Sequence, residues 1–464
     1  MVPTGRGAGR AGHMLAGMSQ PAAADQSRPP DRPGQPPDAP AAPAATPGSR
    51  EAATGSAAPD APPGPVRIGP RAARVLVAEL LRRPAPVPAL LVGAAPGSAV
   101  LAAAIDALPP GDPLTVLATD PAPLRSHLAG RGLADRVRVV DSTAGVPPVD
   151  VIVLAEPVTG EAEPARAALA ELAKLLNPGG VIAAAVIAVP GLAGGAAAEL
   201  DRQAMLFGVG SDLILRNLPP VRVHRLGWSP PDLALADRLH PVDRPSSVPL
   251  TRELHLDSNG GAAAGIALGL AALTRLAGSR LWWLPAVAAV PLAGFFRDPQ
   301  RVAPPDPALV LAASDGVVLA VERVSDDRFS DGGGEVDYLR VAVFLSVLDV
   351  HVNRAPVAGR VVDHFLTDGG YAPAMTPAGE HNVAAYTVLA TARGRVVVAQ
   401  RTGLLARRIV HRAPVGSTLA RGERFGLIRF GSRTDVYLPA GAVEVLVAAG
   451  DRVHGGSTPL ARWR

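Results

Sequence analysis

The chain has 464 residues, enough for two or three domains, and 48% of them are hydrophobic, so a sizeable core is possible. It contains no cysteine, which excludes disulfide bonds, thiolate metal sites and cysteine nucleophiles, and we predict no metal site. The formal net charge is +4, and the basic residues form no Lys/Arg-rich block, so the sequence does not predict nucleic-acid binding.

Residues 1–70 are dominated by Pro, Ala, Gly and Ser and show no apolar periodicity. Such a segment cannot bury enough apolar surface to fold, so we predict a disordered tail. Residues 1–20 lack the apolar core of about 7–15 residues that a secretory signal requires. The true translation start is left open by the sequence.

Residues 71–245 alternate short apolar runs with helical stretches, which predicts a Rossmann-like, doubly wound parallel sheet. The predicted strands are residues 89–93, 114–119, 136–140, 149–154 and 181–189. The predicted helices are residues 75–81, 100–108 and 165–176. The last helix is expected to end at a turn formed by Asn177-Pro178-Gly179-Gly180.

A glycine-containing turn follows the first predicted strand, at Gly93 and Gly97, and Asp120 and Asp141 end the next two strands. Glycines let the backbone approach a ligand, the amides of the following helix suit a polar or anionic group, and a carboxylate can accept bonds from ribose hydroxyls. Residues 75–190 resemble class I S-adenosylmethionine-dependent methyltransferases. The resemblance implies that these four residues bind S-adenosylmethionine, with Asp141 facing the adenine.

This first resemblance has limits. The loop lacks the fuller Gly-x-Gly-x-Gly form, and Glu156-Pro157-Val158 stands where many such enzymes place catalytic polar residues. The alternative interpretation is a degenerate Rossmann-like domain with a structural or regulatory role.

Two apolar segments open the last region, which we place at residues 246–464. Residues 258–274 and 281–296 carry no charge, yet each is shorter than the roughly 20 residues of a spanning helix. We predict a helical hairpin over 258–296, shallowly inserted in a membrane, with Trp282 and Trp283 at the interface. The alternative is a pair of buried core helices. Short strand candidates follow residue 299 and predict a compact β-rich domain.

Five motifs in this region resemble, in order, the short bacterial and archaeal type of phosphatidylserine decarboxylase. They are Phe295-Phe-Arg-Asp-Pro299, Ser314-Asp-Gly316, Val350-His-Val-Asn-Arg-Ala-Pro356, Ala406-Arg-Arg-Ile-Val410 and the run from Gly422 to Pro439 that contains Gly431-Ser432. The resemblance extends over about residues 250–464.

The resemblance implies that the chain cuts itself between Gly431 and Ser432 into segments 1–431 and 432–464. Ser432 would attack the preceding carbonyl and become a pyruvoyl group, the cofactor of the decarboxylase. Asp315, His351 and Ser432 would form the self-cleaving triad, with His351 taking the hydroxyl proton and Asp315 orienting the imidazole. Arg354 stands where long forms carry a second histidine.

Two further side-chain assignments stay open. His381 lies in Glu380-His-Asn-Val and could replace the missing second histidine or simply occupy a loop. Arg407 and Arg408 could pair with a lipid phosphate or be solvated charges on a strand edge.

The implied reaction is the conversion of phosphatidylserine to phosphatidylethanolamine at the cytoplasmic side of the cell membrane. The membrane surface and the lipid are the expected partners, and a homo-oligomer is compatible with the sequence. One rival hypothesis is a lipid methyltransferase that uses the C-terminal domain as an anchor. A second is a non-catalytic membrane scaffold.

Overall fold

The computed structural model describes residues 67–189, 194–330, 334–404, 408–429 and 432–464. The predicted disordered tail therefore lies almost entirely outside the described residues, as do Gly431 and Arg407.

The N-terminal part is a seven-stranded sheet with helices on both faces. Its strands are β1 (Ala89–Val92), β2 (Leu114–Leu117), β3 (Val137–Val140), β4 (Val149–Leu154), β5 (Leu176–Ile187), β6 (Gly208–Ile214) and β7 (Val221–Leu226). The helices are α1 (Pro70–Leu76), α2 (Ala78–Arg82), α3 (Ala99–Ala107), α4 (Pro121–Gly130), α5 (Ala162–Ala173), α6 (Gly195–Phe207) and α7 (Leu233–Ala236). The strand order is β3-β2-β1-β4-β5-β7-β6, which confirms the Rossmann-like prediction.

Alternate side chains of the central strands enter two separate cores. Leu91 of β1 and Val153 of β4 pack in the core that contains α1 and α3. Leu90 and Ile152, one position earlier, pack in the core that contains α5 and α6. Because both faces are covered, these strands are apolar throughout, which is the pattern of a buried parallel sheet.

Two predictions for this sheet are wrong in detail. The sheet is not wholly parallel, because β7 runs antiparallel to both β5 and β6, and the sequence pattern had indicated neither β6 nor β7. Asn177-Pro178-Gly179-Gly180 is also not a turn ahead of a strand, since β5 already begins at Leu176. Its pairing with β4 is irregular at this point, and the positive φ of Gly179 (75°) accommodates the irregularity.

The C-terminal part begins with a small sheet and a helical hairpin and continues as β-structure. Its elements before residue 300 are β8 (Ser247–Pro249), β9 (Leu254–Asp257), α8 (Ser258–Leu276), α9 (Trp283–Phe295) and β10 (Arg297–Pro299). The later strands are β11 (Leu309–Leu311), β12 (Gly316–Asp326), β13 (Val336–Leu345), β14 (Val352–Arg354), β15 (Gly359–Thr367), β16 (Ala384–Thr391), β17 (Gly394–Arg401), β18 (Arg408–His411), β19 (Thr418–Leu419), β20 (Arg424–Arg429), β21 (Ser432–Pro439), β22 (Val443–Val445), β23 (Arg452–Val453) and β24 (Pro459–Trp463).

The largest of these sheets has the order β19-β15-β16-β17-β21-β13-β12-β23, and β14-β20-β18 and β11-β24-β22 form two smaller ones. In the large sheet β21 lies between β17 and β13 and pairs antiparallel with both. This position places the beginning of β21, at Ser432, inside the domain.

The hairpin formed by α8 and α9 has an apolar surface that the rest of the described chain leaves uncovered. Ile266 is 74% exposed and Val290 is 73% exposed, and several leucines of the same helices are also exposed. The alternative prediction of two buried core helices is therefore wrong for these side chains. Among the described residues, no helix combines the length and apolar character needed to cross a membrane.

A buried ion-pair cluster joins the N-terminal sheet domain to the C-terminal part. The Glu423 carboxylate accepts bonds from Arg82 and from Arg244, each at 2.6 Å, and its side chain is fully buried. Burial by itself raises the pKa of Glu423, but the two guanidinium groups more than offset it, so the pKa is lowered. Glu423 directly precedes β20, the strand that leads towards Ser432.

We expect Glu423→Gln to destabilise the chain strongly, because it leaves two buried guanidinium groups without their shared carboxylate. Removing one partner of a buried ion pair costs about 3–5 kcal/mol. The measurement is the denaturant midpoint of the purified protein. Glu444→Gln changes the net charge equally at an exposed position and should leave the midpoint unchanged. Equal midpoints for the two variants would contradict the role given to Glu423.

Candidate functional site

Ser432 is the first residue of β21 and pairs with Leu345 of β13. Its side chain is fully buried, and within the described chain its Oγ has no hydrogen-bond partner. A buried hydroxyl without a partner is costly, so such an atom indicates a functional constraint at this position. Gly431, on the other side of the predicted cleavage bond, lies outside the described residues.

The two faces of β21 behind Ser432 differ in chemistry. Val436 and Leu438 lie on the same face as Ser432 and enter the aliphatic core. On the other face, Asp435 is fully buried and accepts bonds from Arg401 Nε at 2.7 Å and Arg433 Nε at 2.6 Å. Both faces of the strand are thus fixed by buried contacts, which limits the freedom of Ser432.

His351 lies directly before β14 and is buried, with its ring 4.2 Å from the ring of Phe295 at the end of α9. Its Nδ1 is 2.9 Å from the backbone oxygen of Asp349. Because a carbonyl oxygen can only accept, Nδ1 carries the proton and the neutral ring leaves Nε2 as a hydrogen-bond acceptor. Nε2 is buried and, in the described chain, has no partner.

Burial lowers the pKa of His351 to about 4, although the Asp349 backbone bond and nearby carboxylates act in the opposite direction. The imidazole is therefore neutral at pH 7 and available as a base. The main chain also brings His351 to the strand before Ser432, since its backbone oxygen accepts from the amide of Ile428 on β20 at 3.3 Å.

The residue that orients His351 is Asp349, which the sequence analysis did not identify. Its Oδ2 accepts from the backbone amide and the hydroxyl of Ser346, and its Oδ1 accepts from Arg452. These bonds close the loop before β14 and aim the Asp349 carbonyl at the imidazole. The sequence does place an aspartate two residues before the histidine, and aspartate is a residue type that stabilises turns through its side chain.

Asp315 does not make the orienting contact predicted for it. Its carboxylate accepts from Arg301 and from the amide of Gly455, both at 2.8 Å, and lies 3.4 Å from His454 Nδ1. The contact fails because the carbonyl of Asp349, in the same loop as His351, already occupies Nδ1. Asp315 still acts on His351 through its charge, which raises the pKa of that histidine by a minor amount.

The other assigned side chains have plain structural positions. Arg354 is buried and donates to Asp298 at 3.0 Å and to the Pro299 oxygen at 2.9 Å, so it ties β14 to β10. Burial lowers the pKa of Arg354 to about 10. His381 is exposed at the end of the 3-10 helix Pro377–His381, and Arg408 is exposed at the start of β18.

Two buried polar pairs near Ser432 were not predicted from the sequence. Ser314 Oγ lies 2.6 Å from Oγ of Thr434, which shares a strand face with Ser432. Gln400, paired with Thr434 across the strands, donates from Nε2 to Asn353 Oδ1 at 2.7 Å.

The amide pair has unused hydrogen-bonding capacity. Asn353 Nδ2 and Gln400 Oε1 are buried and have no partner in the described chain. If both amide groups are rotated so that oxygen and nitrogen exchange places, the pair still has one donor and one acceptor without a partner. The site therefore offers both to a polar group beside Ser432.

The four residues assigned to S-adenosylmethionine lie along the carboxyl edge of the N-terminal sheet. Gly93 and Gly97 follow β1 with positive φ values of 75° and 78°, and Asp120 and Asp141 follow β2 and β3. Asp120 caps α4 by accepting from the amide of Ala122 at 3.4 Å. Both aspartates are exposed, so the edge is open at these positions.

Comparison with solved structures finds weak likenesses to methyltransferases over the N-terminal region. An O-methyltransferase from Bacillus cereus is 17% identical, with 35% of this chain and 84% of that chain covered and a TM-score of 0.28. The O-methyltransferase TomG from Streptomyces achromogenes is also 17% identical, with coverages of 34% and 79% and a TM-score of 0.26. The fold of this region rests on its strand order alone.

The C-terminal part matches a known family much more closely. Residues 292–461 match the family model described as phosphatidylserine decarboxylase. The phosphatidylserine decarboxylase proenzyme of Symbiobacterium thermophilum is 50% identical over 170 residues, which are 36% of this chain and 77% of the relative. The proenzyme of Gluconacetobacter diazotrophicus is 47% identical over 207 residues, which are 42% of this chain and 90% of the relative. The chain thus belongs to the phosphatidylserine decarboxylase family.

Proposed function

We propose that the chain is a self-processing decarboxylase that converts phosphatidylserine to phosphatidylethanolamine, with Ser432 as the source of a pyruvoyl group. The observation that supports this best is the pair of buried, unpartnered atoms, Ser432 Oγ and His351 Nε2. One is a nucleophile that lacks a base and the other is a base that lacks a proton to accept. Their occurrence in a family whose curated relatives are named proenzymes favours self-processing.

In the proposed processing step, His351 Nε2 accepts the Ser432 hydroxyl proton while Oγ attacks the carbonyl carbon of Gly431. The peptide nitrogen leaves that carbon and takes up a proton, so the amide becomes an ester. Elimination across the Cα–Cβ bond of Ser432 then releases Gly431 as a carboxylate. Hydrolysis of the remaining enamine, with loss of ammonia, leaves a pyruvoyl group at the start of segment 432–464.

The residues present fit this group. Position 432 is fully buried, and its hydroxyl makes no bond that conversion to a carbonyl would break in the described chain. A pyruvoyl group at this position would supply an electrophilic carbonyl for the substrate amine and a sink for the negative charge that forms as carbon dioxide leaves. In this proposal His351 returns a proton, and the unused donor and acceptor of Asn353 and Gln400 bind the polar head group.

We also propose that the hairpin places this site at the cytoplasmic face of the cell membrane. The exposed side chains of α8 and α9 suit the boundary between head groups and acyl chains. The ring of Phe295, at the end of α9, lies 4.2 Å from the His351 ring at an angle of 36°, so the hairpin ends next to this imidazole. A lipid head group leaving the bilayer along the hairpin would reach the site without crossing bulk water.

S-adenosylmethionine binding by Gly93, Gly97, Asp120 and Asp141 stays a prediction. The support is their common position at the carboxyl edge of adjacent parallel strands, where ligands of such sheets bind. Methyl transfer has weaker support than decarboxylation, because the Asp120 carboxylate is engaged in a helix cap and the sequence offers no acceptor-site motif.

We expect Ser432→Ala to abolish both self-cleavage and decarboxylation, because alanine has neither the nucleophile nor the precursor of the carbonyl. On a denaturing gel the wild type should give segments 1–431 and 432–464, and the variant only the full-length chain. Mass spectrometry should find the smaller segment lighter by one ammonia than its serine form. Ser457→Ala, in the same segment, should cleave normally. Decarboxylation by uncleaved Ser432→Ala would contradict the proposal.

We expect self-cleavage to lose half of its rate near pH 4 instead of near the ordinary histidine value of about 6.5. Burial holds the pKa of His351 at about 4, so the base stays neutral well below pH 6.5. The measurement is the initial rate of fragment formation by freshly synthesised chain across this range. His351→Ala should not cleave, while His381→Ala should keep the wild-type profile.

A stability control accompanies this profile. The folded pKa of His351 lies below the unfolded value, so acidification from about 6.5 to about 4 favours the unfolded chain. Rates should therefore be compared only where circular dichroism shows folded protein. A midpoint at 6.5 in folded protein would rule out a buried His351 as the base.

We expect Ile266→Glu to weaken binding to anionic lipid vesicles at least tenfold, since withdrawing one isoleucine side chain from the lipid costs about 1.5–3 kcal/mol. Self-cleavage should be unchanged, because Ile266 lies on the exposed hairpin face. Val302→Glu alters a side chain that is 89% exposed but outside the hairpin and should bind vesicles as the wild type does. Vesicle cosedimentation measures both, and equal binding by the two variants would refute the hairpin contact.

A further inference from the structure

A cleft lies between the N-terminal sheet domain and the C-terminal part, beside the ion pairs that join them. Neither proposed reaction uses this cleft. Its volume is about 500 Å³, including the part that opens to solvent. The lining residues that matter here are Arg82, Arg83, Arg244, Gly179, Ser229 and Thr418. Gly179 lies near the amino end of β5, so the cleft is at the opposite edge of the sheet from Gly93 and Gly97. It is therefore distinct from the predicted S-adenosylmethionine site.

The lining of this cleft contains three arginines, Arg82, Arg83 and Arg244, and one carboxylate, that of Glu79. Arg82 and Arg244 share the carboxylate of Glu423, and Arg82 also lies 3.7 Å from Glu79. Glu79 is shared in turn with Arg225, at 3.8 Å. Arg225 has a second carboxylate partner, Asp212 at 2.5 Å, so all three carboxylates already pair with other arginines, and the cleft lining holds one further arginine.

Arg83 is that further arginine. It is only 7% exposed, and no carboxylate of the described chain forms an ion pair with it. Among the described residues, the Arg83 side chain makes a single hydrogen bond, from Nη2 to the backbone oxygen of Gly179 at 2.5 Å, and its Nε is buried without a partner. Burial lowers the pKa of Arg83, and the more distant Glu79 and Asp150 only partly oppose this.

We propose that the cleft binds a small oxyanion, a phosphate or carboxylate group, with Arg83 as its main counter-charge. An unpaired buried guanidinium is costly, and an anion in the adjoining cleft would supply the missing partner. The planar fork of arginine suits two-point contact with such a group. Ser229 adds a hydroxyl, whose oxygen accepts from the amide of Gly179 at 3.0 Å and whose proton can be donated to the anion.

The bound anion also strengthens the contact between the two parts of the chain. The cleft walls come from both parts, with Gly179 and Ser229 on one side and Thr418 on the other. Arg82 donates to Glu423 and to the backbone oxygen of Thr418, so it already crosses the boundary. An anion held among Arg82, Arg83 and Arg244 raises the thermal stability of the whole chain by mass action.

The test compares the thermal midpoints of the wild type and Arg83→Met, each purified with both segments, in detergent, with and without inorganic phosphate at constant ionic strength. For the wild type we expect a saturable rise of the midpoint with phosphate. For Arg83→Met we expect an unchanged or higher midpoint without phosphate, because an unpaired buried charge is gone. We also expect its apparent phosphate affinity to fall at least tenfold.

Arg323→Met removes the same charge from an exposed position on β12 and should respond to phosphate as the wild type does. Glycerophosphoserine, tested in place of phosphate, distinguishes a lipid head group from free phosphate, and saturation by either ligand that depends on Arg83 supports the site. An identical phosphate response in the wild type and Arg83→Met would overturn it. So would a phosphate-free midpoint that falls in Arg83→Met while the wild type gains nothing from either ligand.

Discussion

Strand β21 is the element on which the rest of the C-terminal part depends, because it carries Ser432 at its first position and is paired on both edges. On one face its side chains enter the aliphatic core, and on the other Asp435 joins two arginines in full burial. The proposed cleavage would separate the chain at the very start of this strand. Segment 432–464 would nevertheless stay bound, since β21 pairs with β13 and β17, β23 with β12, and β24 with β11.

Burial also sets the chemistry of the site. A histidine in water would be partly protonated at pH 7, but desolvation keeps His351 neutral, and a single backbone carbonyl fixes its tautomer. The same burial makes the free Ser432 hydroxyl costly. The proposed conversion of Ser432 would remove this buried hydroxyl, which has no partner in the described chain, and with it the free-energy cost of burying it.

The N-terminal domain contacts the C-terminal part through buried ion pairs. Glu423, in the family motif before Ser432, is neutralised by Arg82 and Arg244, which precede the decarboxylase region in sequence. The contact is charged and buried, so a few specific groups link the two parts. The cleft beside this contact is lined by the same two arginines and by Arg83, which has no carboxylate partner among the described residues.

By itself the sequence determined the classes of structure and the family, and it predicted the reactive bond. Alternating apolar runs predicted the Rossmann-like sheet, uncharged segments predicted the hairpin, and ordered motifs around Gly431-Ser432 predicted the decarboxylase. These signals are local, because periodicity and short motifs depend on neighbours within a few residues.

Only the tertiary structure decided which groups meet. It gave the orienting bond of His351 to the Asp349 carbonyl instead of the Asp315 carboxylate, and it placed Asn353 against Gln400 and Ser314 against Thr434. It also added β6 and β7 and brought Arg82 to Glu423 across 341 residues. Such contacts join residues far apart in the chain, and their partners are selected by packing and desolvation, which no local pattern records.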